Sequence, residues 1–406
     1  MSYKKILQNI AAHNQYRGEC LNLIAAENVM SPASQRALSS DLNNRYTVGQ
    51  PGNRWYAGSQ YFDHIEQTAI DLAKKLFHAK YANVQALSGM MANLTAYFTL
   101  LKPGDLVMSL PVRNSGHYSH VQTGMLALFQ ARVDFLEFDE KNYTIDIERS
   151  ISKIKKLKPK LVILGTSEFL FPAPVRELKK ICDQVGCKIL YDAAHVAGLI
   201  AGQSFQNPLQ EGADFLSFST NKTLGGPDQG IVACNDSSYR KKIEYAIVPM
   251  FTSNQHAHHI AGVAITLAEF EQFGPQYSQQ IIKNAKTLAS SLYNEGVDVL
   301  CPHKNFTESH TVLCNVKNSG KSAMKNLEKA NIITNYFQLP QNTANNPTGI
   351  RLGTNELTRL GMKEKEMKKV GQYLAAIILN KSSKEKIKKQ VAELRHNFQK
   401  IHYCFH

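Results

Sequence analysis

The chain of 406 residues has no apolar run close to the roughly 20 residues that a membrane-spanning helix needs, so no membrane association is expected. Its first stretch, MSYKKILQNIAAHNQ, shows no apolar signal core with a small-residue cleavage site, and a cytoplasmic protein is expected. Cysteine is sparse: seven are scattered along the chain, and only Cys182 and Cys187 lie close together. With no second pair nearby, zinc is a poor reading, no metal is expected, and reduced structural thiols fit better. Acid is short as well. Asp and Glu number 33 against 47 Lys and Arg, a formal net charge of +14, which favours anionic partners from nucleic acid to phosphorylated small molecules. Much of the excess lies in KSSKEKIKKQVAELRHNFQK (381–400), where Val391, Leu394 and Phe398 have helical spacing. That pattern reads as an amphipathic helix with a solvated basic face. With no RNA-binding aromatic motif and no internal repeat, nucleic acid is not expected as a partner.

What is present is the composition of a globular enzyme, 43% hydrophobic and 20% charged, at a length that suits one large domain and a smaller one. QPGNRWYAGSQ (50–60) is too rich in Gly, Pro and Asn for regular structure. A helix should follow, with Phe62, Ile65, Ala69, Leu72, Ala73 and Leu76 on one stripe. Short apolar segments then alternate with helical ones: YANVQAL (81–87), DLVMSL (105–110), KLVILGT (160–166), KILYDA (188–193) and DFLSFST (214–220). The alternation argues for an α/β fold with a mostly parallel central sheet flanked by helices. Beyond about residue 265 the pattern changes. A long helix with a central Gly-Pro break (264–296) precedes strand candidates VDVL and HTVLCNV and two further helices, as in a smaller α+β domain. The expected division is an N-terminal arm (1–22), a large domain (23–265) and a small C-terminal domain (266–406).

In open parallel sheets ligands bind beyond the carboxyl ends of the strands. The polar residues at those ends are Ser88, Gly89, His117, Ser167, Asp192, His195 and Lys222. Each alone is ordinary: a strand-end Asp is more often a helix cap, and a loop Lys or His is usually just solvated. Together they fit the needs of pyridoxal 5'-phosphate. Lys222 can form the Schiff base. Asp192 can hold the pyridine nitrogen protonated. Ser88-Gly89, between strand and helix, suits a phosphate, and His117 could stack on the ring. The order carries the weight: Asp192, His195 three residues on, then Lys222 thirty residues after the aspartate.

At this point the chain resembles the serine hydroxymethyltransferase family of fold-type I pyridoxal-phosphate enzymes. The matching stretches are LIAAEN (23–28), YTVGQPGNRWYAG (46–58), LFHAKYANVQALSGMMAN (76–93), LLKPGD (100–105), SGHYSH (115–120), YDAAHVAGLIAG (191–202), TNKTLGGP (220–227) and TGIRLGT (348–354). They follow the family's order over nearly the whole chain. The resemblance implies Lys222 as the cofactor-bearing lysine, Asp192 as the pyridinium partner, and His195 near the phenolic oxygen. It also implies His117 stacked on the ring, Ser167 hydrogen-bonded to the phenolic oxygen, and Ser88, Gly89 and Met90 in the phosphate turn. Arg351 is implied to grip the substrate α-carboxylate, a task suited to a bidentate guanidinium. Tyr46 and Tyr56 match tyrosines that reach into a partner subunit's site, so the resemblance implies a homodimer.

The departures from the family pattern are specific. Val48 replaces a glutamate that handles the substrate hydroxyl proton and the folate. Ala26 replaces a serine near the substrate carboxylate, Met90 a serine of the phosphate turn, and Asn221 a histidine before the lysine. Phe337 takes about the place of an asparagine that contacts the pterin, and Asp228 that of an arginine. VPMFTSNQHAHH (248–259) replaces a glycine-rich loop. The expected activity is therefore folate-independent chemistry at the α-carbon of a small or β-hydroxy amino acid: retro-aldol cleavage, or transfer of a glycyl unit to another aldehyde. Alternatives are an ordinary serine hydroxymethyltransferase using tetrahydrofolate, a racemase or transaminase, and a non-enzymatic binding protein on the same fold. The intact Lys222, Asp192 and Arg351 argue against the last.

Overall fold

The computed structural model describes residues 2–342 and 346–405. The chain divides into two compact units: Asn28–Gln279 with the last residues from Tyr403, and the residues up to Glu27 with Gln280–His402.

The larger unit is built on seven strands, β1 (Tyr81–Ala86), β2 (Leu106–Ser109), β3 (Arg132–Phe135), β4 (Leu161–Leu164), β5 (Lys188–Asp192), β6 (Phe215–Ser219) and β7 (Gly230–Cys234). Their spatial order is β1-β7-β6-β5-β4-β2-β3. All neighbours are parallel except β7, which runs antiparallel to β6 and β1. The central strands LVIL and FLSFS are buried at every position, as strands covered on both faces must be. Val107, Leu161, Ile163, Leu190, Phe215 and Val232 belong to one continuous core. β3 and β7 were not expected from the sequence. β3 is a half-exposed edge strand, RVDF, with only one apolar position on each side of its aspartate. β7 follows a Gly-Pro loop that reads as an end rather than a return.

The stripe beginning at Phe62 forms the helix Gln60–Leu76. It buries one residue that no apolar pattern shows, Glu66, which Arg54 meets at 2.7 Å. The Gly-rich stretch before it holds only a two-residue pairing of Gly49–Gln50 with Asn53–Arg54.

The expected boundary at 265/266 and the expected Gly-Pro break both fall inside one helix, Ala257–Asn294, which contains Pro275. Leu267, Phe270 and Tyr277 are buried on either side of the proline. Ser278 Oγ also donates to the Gly202 and Pro275 carbonyls at 2.9 and 3.3 Å. Packing here outweighs the loss of one backbone donor.

The smaller unit contains a four-stranded antiparallel sheet ordered Asp298–Val299, Thr311–Asn315, Gly349–Gly353, Asn335–Phe337. Helices Gly320–Lys329, Glu364–Ile378 and Lys384–His396 pack their apolar faces on its core. The basic C-terminal segment is the last of these. It buries Ile387 and Val391 and leaves Lys386, Lys388 and Lys389 exposed. The expected N-terminal arm is a helix, Ser2–Glu19, with no buried residue. Leu21–Asn22 then pairs in parallel with Ile332–Ile333, which ties the start of the chain into this unit.

Candidate active site

The carboxyl ends of the central strands of the larger unit open on a cavity of about 250 Å³. Ser88 follows β1 and caps the helix Gly89–Leu100, its hydroxyl accepting from Met91 N–H at 3.2 Å. Gly89 sits so close to β6 that a Cβ there would lie 2.9 Å from Ser219 Cβ, and a Cβ on Gly230 would lie 2.1 Å from the Ser88 carbonyl. Only glycines allow this turn to approach the strands, which brings the first helical amide groups to the cavity, the arrangement that suits a phosphate. Lys222 lies three residues beyond the end of β6. Its carbonyl accepts from Asn28 Nδ2 (2.8 Å) and Gly225 N–H (3.0 Å), in a turn where Gly225 has φ +68°. Thr223 Oγ1 donates to the His195 carbonyl at 2.9 Å, joining the lysine loop to the loop after β5.

Asp192 closes β5 and is held by three donors. Asn93 Nδ2 reaches Oδ2 at 2.7 Å, His120 Nε2 reaches the same oxygen at 3.0 Å, and Ala194 N–H reaches Oδ1 at 2.9 Å. Burial alone would raise this carboxyl. The hydrogen bond and attraction of His120, then the Asn93 and Ala194 donors, outweigh burial and hold it well below the usual carboxylate range. An ionised, acceptor-only carboxylate therefore faces the cavity. The phenol of Tyr97, fully buried beside it, is pushed well up by burial and by the Asp192 charge.

The structure brings all eight expected cofactor residues to this one cavity: Ser88, Gly89, Met90, His117, Ser167, Asp192, His195 and Lys222. Asn221 and Asp228, two of the departures, line it as well. Tyr46, Val48 and Tyr56 belong to the same unit but not to the lining. Val48 is buried, whereas Tyr46 and Tyr56 are exposed with ring centroids 5.5 Å apart. Ala26 and Arg351 belong to the smaller unit, where Arg351 Nε donates to Asn335 Oδ1 at 3.2 Å. The lining residues that sequence reasoning missed are Asn93, His120, Thr166, Ala194 and Ser219. Two carried a signal. Asn93 stands four residues after Gly89, one turn along the same helix face, and His120 stands three after His117.

Pyridoxal phosphate can be tested against these residues on one observation. Thr166 Oγ1, Ser219 Oγ and Asn221 Oδ1 are buried in the lining without a hydrogen-bond partner. Buried polar atoms are rarely left so. Their number and place fit a polar group between the helix start and the lysine, beside an ionised aspartate.

A mostly parallel sheet that gathers such a lysine, aspartate and glycine-lined helix start at its carboxyl edge defines a fold-type I pyridoxal-phosphate enzyme. The serine hydroxymethyltransferase family model matches residues 1–374, and the chain belongs to that family. It is 43% identical to the serine hydroxymethyltransferase of Methanocella arvoryzae, over 99% of this chain and 96% of that one. It is 44% identical to the corresponding protein of Methanocaldococcus jannaschii, over 97% and 93%. Among solved structures, the L-threonine transaldolase of Pseudomonas fluorescens superimposes with a TM-score of 0.91 at 26% identity, covering 99% of this chain and 93% of that one.

Proposed function

We propose that this chain cleaves the bond between the α- and β-carbons of β-hydroxy amino acids without folate, releasing an aldehyde, and can pass the glycyl unit to a second aldehyde. The observation that carries this reading is Val48. The family pattern has a glutamate there, and this chain has a valine exposed by only 2%. Valine neither takes a proton nor accepts a hydrogen bond, so a pterin that the family's glutamate would serve is left with polar groups unpaired at about 1–3 kcal/mol each. Phe337, at about the place of the family's pterin-contacting asparagine, is a second departure in the same direction. The resemblance to a solved L-threonine transaldolase supports the same direction.

Pyridoxal 5'-phosphate, when bound, would supply an electron sink that stabilises negative charge at the α-carbon. The chain's own residues do the rest. Lys222 Nζ is the amine that would carry the cofactor. Asp192, kept ionised by His120 and Asn93, would hold the proton on the pyridine nitrogen. The amides after Ser88 would hold the phosphate, and His117, Ser167 and His195 would orient the ring and its oxygen. Arg351 holds the substrate α-carboxylate. In the cleavage the β-hydroxyl gives up its proton, its oxygen becomes the aldehyde carbonyl, and the pair of the broken bond stays with the α-carbon, which takes up one proton to give glycine, so that the proton lost by the hydroxyl balances the one gained by the carbon. The working unit is a cytoplasmic homodimer, in which the exposed Tyr46 and Tyr56 reach the partner's site.

The 42–44% identity to proteins named serine hydroxymethyltransferase favours a second reading, ordinary folate-dependent transfer. Calorimetric titration of tetrahydrofolate into the cofactor-loaded protein with saturating glycine separates the two. No saturable heat is expected, and tight binding would favour the second.

A further inference from the structure

We infer that Ser119 is a positioning residue that fixes His117 as the neutral tautomer carrying its proton on Nε2. The donors and acceptors run outward from Asp192, whose ionised state belongs to the function proposed above. An ionised carboxylate only accepts. Asn93 must therefore turn its NH₂ toward Asp192 Oδ2, 2.7 Å away, because the flipped amide would set two oxygens against each other. The same choice lets Asn93 Oδ1 accept from Ser217 Oγ at 2.6 Å. The second amide hydrogen of Asn93 then points to Ser119 Oγ at 3.2 Å.

Ser119 is fully buried, and its hydroxyl, already accepting from Asn93, has one hydrogen to place. Two imidazole nitrogens are in reach: His117 Nδ1 at 2.7 Å and His120 Nδ1 at 3.3 Å. The second has a closer partner, Tyr97 OH at 2.6 Å. The Ser119 hydrogen therefore goes to His117. The backbone N–H of Ser119 donates to the same Nδ1 at 3.2 Å. Two donors on one nitrogen leave no room for a proton on it, so the proton of the neutral ring sits on Nε2. His117 thus presents an N–H donor and no basic nitrogen, and the proton leaving the β-hydroxyl goes to another group. Serine does this where alanine could not, and a threonine hydroxyl at 119 could do the same.

The test is nitrogen-15 NMR of the cofactor-loaded protein with labelled histidine and no amino acid present, the His117 signals being assigned by their loss in His117→Asn. Wild type should show Nε2 protonated and Nδ1 not. Ser119→Ala removes one of the two donors, and the ratio of Nε2–H to Nδ1–H tautomer should fall roughly 2- to 10-fold, the worth of one hydrogen bond. Ser119→Thr should restore the wild-type pattern, which separates loss of the hydroxyl from loss of packing. A proton on Nδ1 in wild type, or a Ser119→Ala spectrum identical to wild type, would overturn the inference. Because no substrate is present, neither result depends on which reaction the enzyme performs.

Discussion

Replacing His120 by alanine removes one of the three donors that keep Asp192 ionised, without touching a residue that the resemblance places in contact with cofactor or substrate. The lost contact is a hydrogen bond of 3.0 Å between two buried side chains, 1% and 10% exposed. A hydrogen bond to a charged group is worth about 1.5–3 kcal/mol, and Asn93 and Ala194 still serve the carboxylate. Asp192 should then hold the pyridine nitrogen proton less firmly, and cofactor affinity should fall roughly 10- to 150-fold, the same energy expressed as a ratio. The assay is a visible-absorbance titration of apoprotein with pyridoxal phosphate, with circular dichroism as the check of folding. The pH dependence has a definite sign. A carboxyl held below its unfolded value of about 4 contributes stability that is present above that pH and lost as pH falls toward the folded value. The thermal stability gap between wild type and His120→Ala should thus be full at neutral pH and narrow below about pH 4. A folded His120→Ala protein that binds cofactor as wild type does would refute the assignment of His120 to Asp192.

Lys222→Ala should lose cofactor on gel filtration, because no covalent link forms; retention of the wild-type visible band would move the cofactor to another amine. Arg351→Ala should weaken amino-acid binding by roughly 2–5 kcal/mol, as expected for a broken carboxylate clamp, and cofactor binding far less. Equal losses in both dissociation constants would mean a structural role instead. Glu356, buried in the smaller unit and hydrogen-bonded by Asn22 at 2.7 Å, is pushed up to about 7, chiefly by burial. The folded state then holds a proton that the unfolded state releases, so stability falls as pH rises from about 4.3 to 7. Glu356→Gln cannot titrate and should gain melting temperature relative to wild type between pH 5 and 8, worth up to about 3 kcal/mol. Parallel pH profiles for the two proteins would refute the buried neutral acid.

The central strands were legible because both of their faces are buried, so LVIL reads as an unbroken apolar run and FLSFS is interrupted only by Ser217 and Ser219. Seven of the eight residues expected at the cavity were legible for a related reason, since a parallel sheet delivers the residues at its strand ends to one edge; Met90 came from the family resemblance alone. β3 escaped because an edge strand need not be apolar. The helix Ala257–Asn294 was misjudged at its Gly-Pro step because local propensity cannot see Phe270, Tyr277 and Ser278 packed around it. Asn93 and His120 touch Asp192 from 99 and 72 residues away, and Glu66 is buried where Arg54 and Gln85 meet its carboxylate. The spacing of Asn93 from Gly89 and of His120 from His117 hinted at the site, but their pairing with Asp192 is set by the fold.

The central claim is tested most directly by aldehyde release from L-threonine and from a β-aryl serine, measured on the cofactor-loaded protein with and without tetrahydrofolate. The account predicts aldehyde from both amino acids at rates that folate does not change. No aldehyde from either, together with folate-dependent conversion of serine to glycine, would contradict it.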